Sequence, residues 1–381
     1  MMRVVRVAWN PFRIPYAAAF TTAHGSEQAR LGAIIRVTAD DGRVGWGEAA
    51  PLPAFGGGTI DDALRQIASL APRIAGRDLD AGLALLDRLD YTRAGMAAAA
   101  SGLDTALLDL RAQAAELPLA KLLDRQVASA VPVNATVGEV DVAAACRAAE
   151  RAARAGIRCV KLKVGVAPTR EAELERIIAV RATLGADIGL RIDANAAWDV
   201  PEAIAVIRAA EPYKLELVEQ PLKADDLAGM AQVRAAVHTP IAADEAVGGP
   251  EQAARVIAAG AADVLVVKPM MAGGLRRARD IIAQARRAGL QALVTTTIDA
   301  GVGVAAALHL AATLPTPRAC GLATGALLVG DLLVQPVVVR NGAMQLPDHV
   351  GLGVHIDERQ LALYASGWQE VEADTKTFNA L

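Results

Sequence analysis

The first residues in this sequence that could do chemistry are charged groups set inside otherwise apolar runs. Lys161 and Lys163 lie in CVKLKVG, Asp193 in IGLRIDAN, Glu219 in LELVEQPL, Asp244 and Glu245 in PIAADEAV, and Lys268 in DVLVVKPM. An ionised side chain in a run buried on both faces is costly unless it is paired or bound to a metal. From Lys163 the steps to Asp193, Glu219, Asp244 and Lys268 are 30, 26, 25 and 24 residues. Each step is one strand plus one helix, and each residue falls near the C-terminal end of its run. Three carboxylates from adjacent strands form a hard, all-oxygen ligand set that suits Mg²⁺ or Mn²⁺. No His or Cys occupies a matching position, which argues against zinc. Lys161 and Lys163, two residues apart, face the same side of a strand. With Lys268 they flank the carboxylates. Like charge and a nearby divalent ion should depress the lysine pKa values and leave an amine base available near neutral pH. The chemistry such a set supports is removal of a proton next to a substrate carboxylate.

The elements that must position these residues can be read from the rhythm of the chain. From Val131 onward a short apolar run alternates with an Ala/Arg-rich helical pattern, giving eight runs: VPVNATVG, CVKLKVG, IGLRIDAN, LELVEQPL, PIAADEAV, DVLVVKPM, QALVTTTID and ACGLATG. Eight strand–helix units predict a closed parallel (β/α)-barrel, whose active sites lie at the C-terminal ends of the strands. No strand is followed by GxGxxG or GxxxxGK[ST], which removes the nucleotide-binding open sheet. Residues 4–48 read as strands joined at Asp40-Asp41-Gly42, and residues 59–119 as helices, so residues 1–120 form an α+β capping domain. The barrel then occupies residues 121–330, and residues 331–381 pack back on the cap. The fold class is therefore α/β, a modified (β/α)-barrel with an N-terminal α+β capping domain.

With 39 basic against 42 acidic residues in 381, the chain has no electrostatic footprint for nucleic acid or an anionic membrane, and a small-molecule partner is expected. Hydrophobic residues reach 53% but aromatics only 3%, so the core must be aliphatic. Cys146, Cys159 and Cys320 are too scattered for a disulfide framework or a zinc site. The N-terminal run lacks a sustained apolar stretch and a small-residue cleavage site, which points to a cytoplasmic protein. An Ala-rich helical exterior would allow self-association into a homo-oligomer.

Any single Lys or Asp near a strand end is as readily a barrel-closing salt bridge; six residues in unit register shift that balance. Glu245 and Asn195 fit support of a lysine or a ligand equally well. His238, His309, His349 and His355 fall outside the strand ends and read as structural or surface groups. His24 is the exception, in a loop that could cover the pocket. Trp198 reads as packing.

Taken together, Val160-Lys161-Leu162-Lys163, Asp193-Ala194-Asn195, Glu219-Gln220-Pro221, Asp244-Glu245 and Val267-Lys268-Pro269 resemble the muconate-lactonising subgroup of the enolase superfamily. The resemblance covers nearly the whole chain. It implies that Asp193, Glu219 and Asp244 are metal ligands, that Lys163 and Lys268 are the catalytic lysines on opposite faces of the substrate, and that Lys161 is an electrostatic helper. It further implies that residues 20–26 and 51–58 of the cap shape specificity. Thr295 to Gly301 and the eighth run, Ala319 to Gly325, resemble o-succinylbenzoate synthases. A dipeptide epimerase would be expected to show Asp-x-Asp in that eighth run, and none is present. The reaction this implies is a metal-assisted syn-dehydration by Lys163, with Lys268 as a cation. An N-succinylamino-acid racemase or a muconate-type cycloisomerase is the alternative on the same lysines. A Schiff-base lyase using Lys163 or Lys268, and a barrel kept only as a scaffold, lie further off.

Overall fold

The computed structural model describes residues 2–22, 25–315 and 317–374; His24 lies outside the described residues. The capping domain is built on β1 (Val4–Thr22), β2 (Gly25–Ala39) and β3 (Val44–Ala49), followed by α1 (Ile60–Ile74), α2 (Leu79–Leu86) and α3 (Met96–Ala114). α1 opens with a capping box, in which the Thr59 side chain accepts from the Asp62 amide and Asp62 reaches back to the Thr59 amide. β3 lies directly on α3 because Gly45 and Gly47 have no side chains. A Cβ at either would meet the carbonyl of Ala106 or Gly102 at 2.1 or 1.9 Å. That close approach brings Glu48, the next residue of the strand, down to the barrel.

After the short α4 (Leu119–Leu123), the run predicted as one strand divides. β4 (Ala130–Pro132) turns away to pair with a later hairpin, while β5 (Ala135–Val137) enters the parallel sheet. The barrel continues as α5 (Val142–Arg154), β6 (Cys159–Lys163), α6 (Arg170–Leu184), β7 (Gly189–Asp193), α7 (Val200–Ala210), β8 (Leu215–Glu219), α8 (Leu227–Ala236), β9 (Ile241–Ala243), α9 (Pro250–Ala258), β10 (Val264–Val267), α10 (Pro269–Ala272), α11 (Leu275–Arg287), β11 (Gln291–Val294) and α12 (Gly301–Ala311). β5 to β11 form one seven-stranded parallel sheet in chain order. The eighth run closes the ring through isolated parallel bridges, Val133 with Cys320 and Thr295 with Gly321. The C-terminal segment adds β12 (Val339–Arg340), β13 (Ala343–Gln345), α13 (Glu358–Tyr364) and β14 (Gln369–Glu372). β12 and β13 join β4, and β14 pairs antiparallel with β1 to complete the four-stranded order β14-β1-β2-β3.

Strand alternation sets what faces the barrel axis. Leu217, Ala242 and Val266 lie two residues before Glu219, Asp244 and Lys268, and with Val264 and Leu293 they form an apolar cluster separate from the main core. This is a dry floor beneath the charged residues. Arg191, two residues before Asp193, is buried, pairs with Glu216 at 2.8 Å and donates to the Ala319 carbonyl, tying β7 to β8 and to the closing run.

Candidate active site at the barrel mouth

The six residues singled out by spacing converge. Lys163, Asp193 and Glu219 are the last residues of β6, β7 and β8, while Asp244 and Lys268 come immediately after β9 and β10. Lys161 Nζ donates to Glu219 Oε1 at 2.7 Å and lies 2.9 Å from Asp193 Oδ2. Lys163 Nζ donates to Asp193 Oδ2 at 2.6 Å and to Asn195 Oδ1 at 2.5 Å. Lys268 donates to Asp244 Oδ1 on the opposite side. The lysines differ in access: the Lys163 side chain is 30% exposed, Lys161 14% and Lys268 7%. Lys163 is therefore the most accessible of the three lysines.

Asn195 donates to Glu245 Oε1 at 2.9 Å, so Lys163, Asn195 and Glu245 form one chain. Asn195 and Ala196 take left-handed φ values of 43° and 64°, which bends the backbone so that the Asn195 side chain returns over the strand end. Gln220, fully buried, accepts from the Asp244 amide at 2.9 Å and the Ala246 amide at 3.3 Å and so fixes the loop that carries Asp244.

Burial and crowding set the charge states. For Lys161, burial pushes the ammonium down, but the carboxylates of Asp193, Glu219 and Asp244 outweigh it and hold its pKa well above the usual range. Burial raises Asp193, yet the charges of Lys161 and Lys163 carry its carboxyl far below the ordinary range. Glu219 is pushed up to about 7, by burial first and then by the negative charge of Asp193. Burial likewise raises Asp244 and Glu245.

Among the described residues, no three carboxylate, imidazole or thiolate groups close around a common point. Lys161 instead spans Asp193 and Glu219, and Lys268 sits on Asp244. The ligand chemistry is nonetheless that suited to a hard cation: three buried carboxylates on neighbouring strands, with Glu245 Oε2 buried beside them and, among the described residues, lacking a hydrogen-bond partner.

Residues 1–124 match the mandelate racemase / muconate lactonizing enzyme N-terminal domain family, and residues 143–360 match the enolase C-terminal domain-like family. The chain belongs to the enolase superfamily. Members of this superfamily among its relatives are enzymes. The L-Ala-D/L-Glu epimerase of Bacillus subtilis (strain 168) is 32% identical over 93% of this chain and 97% of its own length. The o-succinylbenzoate synthase of Thermobifida fusca (strain YX) is 38% identical over 65% of this chain and 79% of its own. The dipeptide epimerase of Enterococcus faecalis V583, solved with Mg and the dipeptide L-Leu-L-Tyr, superposes with a TM-score of 0.87 at 29% identity, covering 92% of this chain and 99% of that one.

Several neighbours of this enolase-superfamily mouth are silent in the sequence. The Phe55 ring, from the cap, lies 4.5 Å from Lys268 Nζ in a cation–π contact; its loop was read as a specificity segment, but nothing in the residue types selected Phe55. Glu173 of α6 accepts from the amides of Gly165, Val166 and Ala167 at 2.7, 3.1 and 3.2 Å, and pairs with buried Arg176. Arg176 donates to the carbonyl of Lys163 at 3.1 Å and so grips the backbone of that lysine. Thr296 Oγ1 and Thr324 Oγ1 lie 2.7 Å apart, joining the loop after β11 to the eighth run. Trp198 packs against the main core beside the loop after β6, and its amide donates to the Pro221 carbonyl at 3.1 Å, while buried His309 bonds the Ala120 amide and the Leu352 carbonyl. No helix among the described residues is long and apolar enough to cross a membrane.

Proposed function

We propose that this protein is an o-succinylbenzoate synthase, catalysing the syn-dehydration of 2-succinyl-6-hydroxy-2,4-cyclohexadiene-1-carboxylate. The observation that carries the reading is the neutral side of the mouth. Where a dipeptide epimerase would be expected to place Asp-x-Asp, the eighth run reads Cys320-Gly321-Leu322-Ala323-Thr324, with a hydroxyl pair between Thr296 and Thr324. A carboxylate in that region, Asp299, is buried and accepts from the Thr297 amide and hydroxyl. Such a wall suits a substrate without an ammonium group.

Asp193, Glu219 and Asp244 would hold Mg²⁺ or, in its place, Mn²⁺, which when bound supplies Lewis-acid charge beside the substrate carboxylate. Lys163, as the amine, takes the proton from the carbon bearing that carboxylate, and the C–H electron pair moves toward the carboxyl carbon. Lys268, as an ammonium on the other face, offsets the developing negative charge. The pair then returns to form the ring double bond while the C–O bond at the neighbouring carbon breaks. Lys163 gives its proton to the departing hydroxide, so water leaves on the face from which the proton was taken. No redox step occurs and every proton returns. The charge of Lys161 favours the ionised form of Asp193 and, against burial, opposes the upward push on Glu219.

The test is the loss of absorbance of the cyclohexadiene on adding enzyme and Mg²⁺, beside an EDTA control and Lys163→Ala. Fast, metal-dependent aromatisation lost in the variant supports the assignment; substantial turnover by Lys163→Ala defeats it. A second reading, dipeptide epimerisation, is favoured by the span of the Bacillus relative, which matches cap and barrel together while the synthase relative matches 65% of the chain. Deuterium uptake from D₂O at the α-carbon of L-Ala-L-Glu, without cyclohexadiene turnover, would select it.

A further inference from the structure

Arg30 on β2 is 2% exposed, and among the described residues its side-chain hydrogen bonds all go to backbone carbonyls. Its guanidinium donates to the Pro51 carbonyl at 2.6 Å, to the Leu31 carbonyl at 3.2 Å and to the Ala50 carbonyl, all within the cap. Its Nε crosses to the barrel and donates to the Ile298 carbonyl at 3.0 Å. These contacts lie at the roots of two pocket walls. Ala50 and Pro51 begin the cap loop that sets Phe55 over Lys268. Ile298 ends the segment carrying Thr296, which meets Thr324 of the eighth run.

Ile298 has φ +62°. A β-branched residue rarely adopts that left-handed conformation, and it persists only when its surroundings over-determine it. Glu48, beside Arg30 in the cap, supplies the rest of the grip: its two carboxyl oxygens accept from the Ala300 and Gly303 amides at 2.7 Å each and so hold the start of α12, which has no side-chain cap of its own.

We propose that Arg30 is a positioning residue that registers the cap loop against the barrel mouth and holds Ile298 in its strained conformation, so that the two walls of the substrate pocket move as one. The inference rests on the reading that this mouth binds the substrate.

Arg30→Met keeps the length and removes every donor. Hydrogen–deuterium exchange of the whole chain should then show faster exchange in residues 51–58 and 296–301 together, although they belong to different domains. In the dehydration assay kcat/KM should fall about a hundredfold, mostly through KM, because the hydrogen bonds that seat Lys163 and Lys268 on Asp193, Asn195 and Asp244 do not involve Arg30. Adding Ile298→Gly, which tolerates positive φ, should recover at least about tenfold, while adding Ile298→Ala should recover nothing. Exchange that rises in only one segment or in neither, or equal recovery with Gly and Ala, overturns the proposal. Should Arg30→Met not fold, the melting temperatures of Ile298→Gly and Ile298→Ala in the otherwise unchanged protein decide instead. Gly above Ala supports stored strain at Ile298, and equal values sink it. Absence of dehydration by the unaltered enzyme would count against the synthase reading alone, since the exchange measurement needs no substrate.

Discussion

Two charged regions lie side by side at the top of the barrel and satisfy their charges in opposite ways. At the mouth, Lys161, Lys163 and Lys268 pair with Asp193, Glu219 and Asp244, side chain to side chain. At the seam between cap and barrel, Arg30 donates to backbone carbonyls and Glu48 accepts from backbone amides. Partners on side chains can be exchanged for a cation or a substrate by a rotamer change. Partners on the backbone cannot leave without moving an element. The first region can turn over ligands while the second holds the frame.

The largest expected effect that would break this contrast is on Lys163. Lys163→Ala should lower turnover by about a thousandfold or more, with a melting temperature close to that of the unaltered chain. Loss of activity accompanied by loss of fold would show the mouth to be structural after all. At the seam the response should appear in stability. The Glu48 pKa is raised from 4.5 to about 8, by burial first and then by the charge of Asp299. A carboxyl with a raised native pKa contributes most below its unfolded value and loses that contribution as pH rises, here between 4.5 and about 8. Urea midpoints should therefore fall across that window and flatten in Glu48→Gln, which at pH 5 should also be the less stable protein because an amide offers one acceptor to two amides.

A smaller effect is expected where the two kinds of pairing meet. Arg176→Met removes the grip on the Lys163 carbonyl and leaves Glu173 buried with its three amides. We expect kcat to fall by about tenfold to a hundredfold with KM little changed, and Arg176→Lys to restore part of it. An equal change in KM would mean that the loop after β6 contacts substrate. The smallest effect should be at His309, far from both regions. Burial lowers its pKa from 6.5 to about 4, so its contribution is present above 6.5 and lost as pH falls through about 4. His309→Gln should move the acid-unfolding midpoint to lower pH without altering turnover near neutrality.

The mouth was legible in the sequence because ionised residues such as Asp193 and Lys268 stand out against apolar strands, and because the barrel repeats them at unit intervals. The parallel barrel followed from the same rhythm. The seam was not legible: the partners of Arg30 are carbonyls, which every residue owns, and the residue type at 298 argues against the conformation it adopts. Phe55 was hidden for a related reason, since one aromatic in a Gly-rich loop carries no period. The eighth run read as a strand, yet among the described residues its strand bridges fall at Cys320 and Gly321, because closing a ring needs pairing at one level rather than a full ladder.

The pairing of β14 with β1 sets a timetable for biosynthesis. Arg6 to Trp9 lie opposite Gln369 to Glu372, so a strand translated before the barrel waits for one translated after it. β2 and β3 can join it at once, but its other edge stays open while the entire barrel is translated. An open strand edge is a template for pairing with other nascent chains, so the interval before Gln369 emerges is when this protein most needs a chaperone.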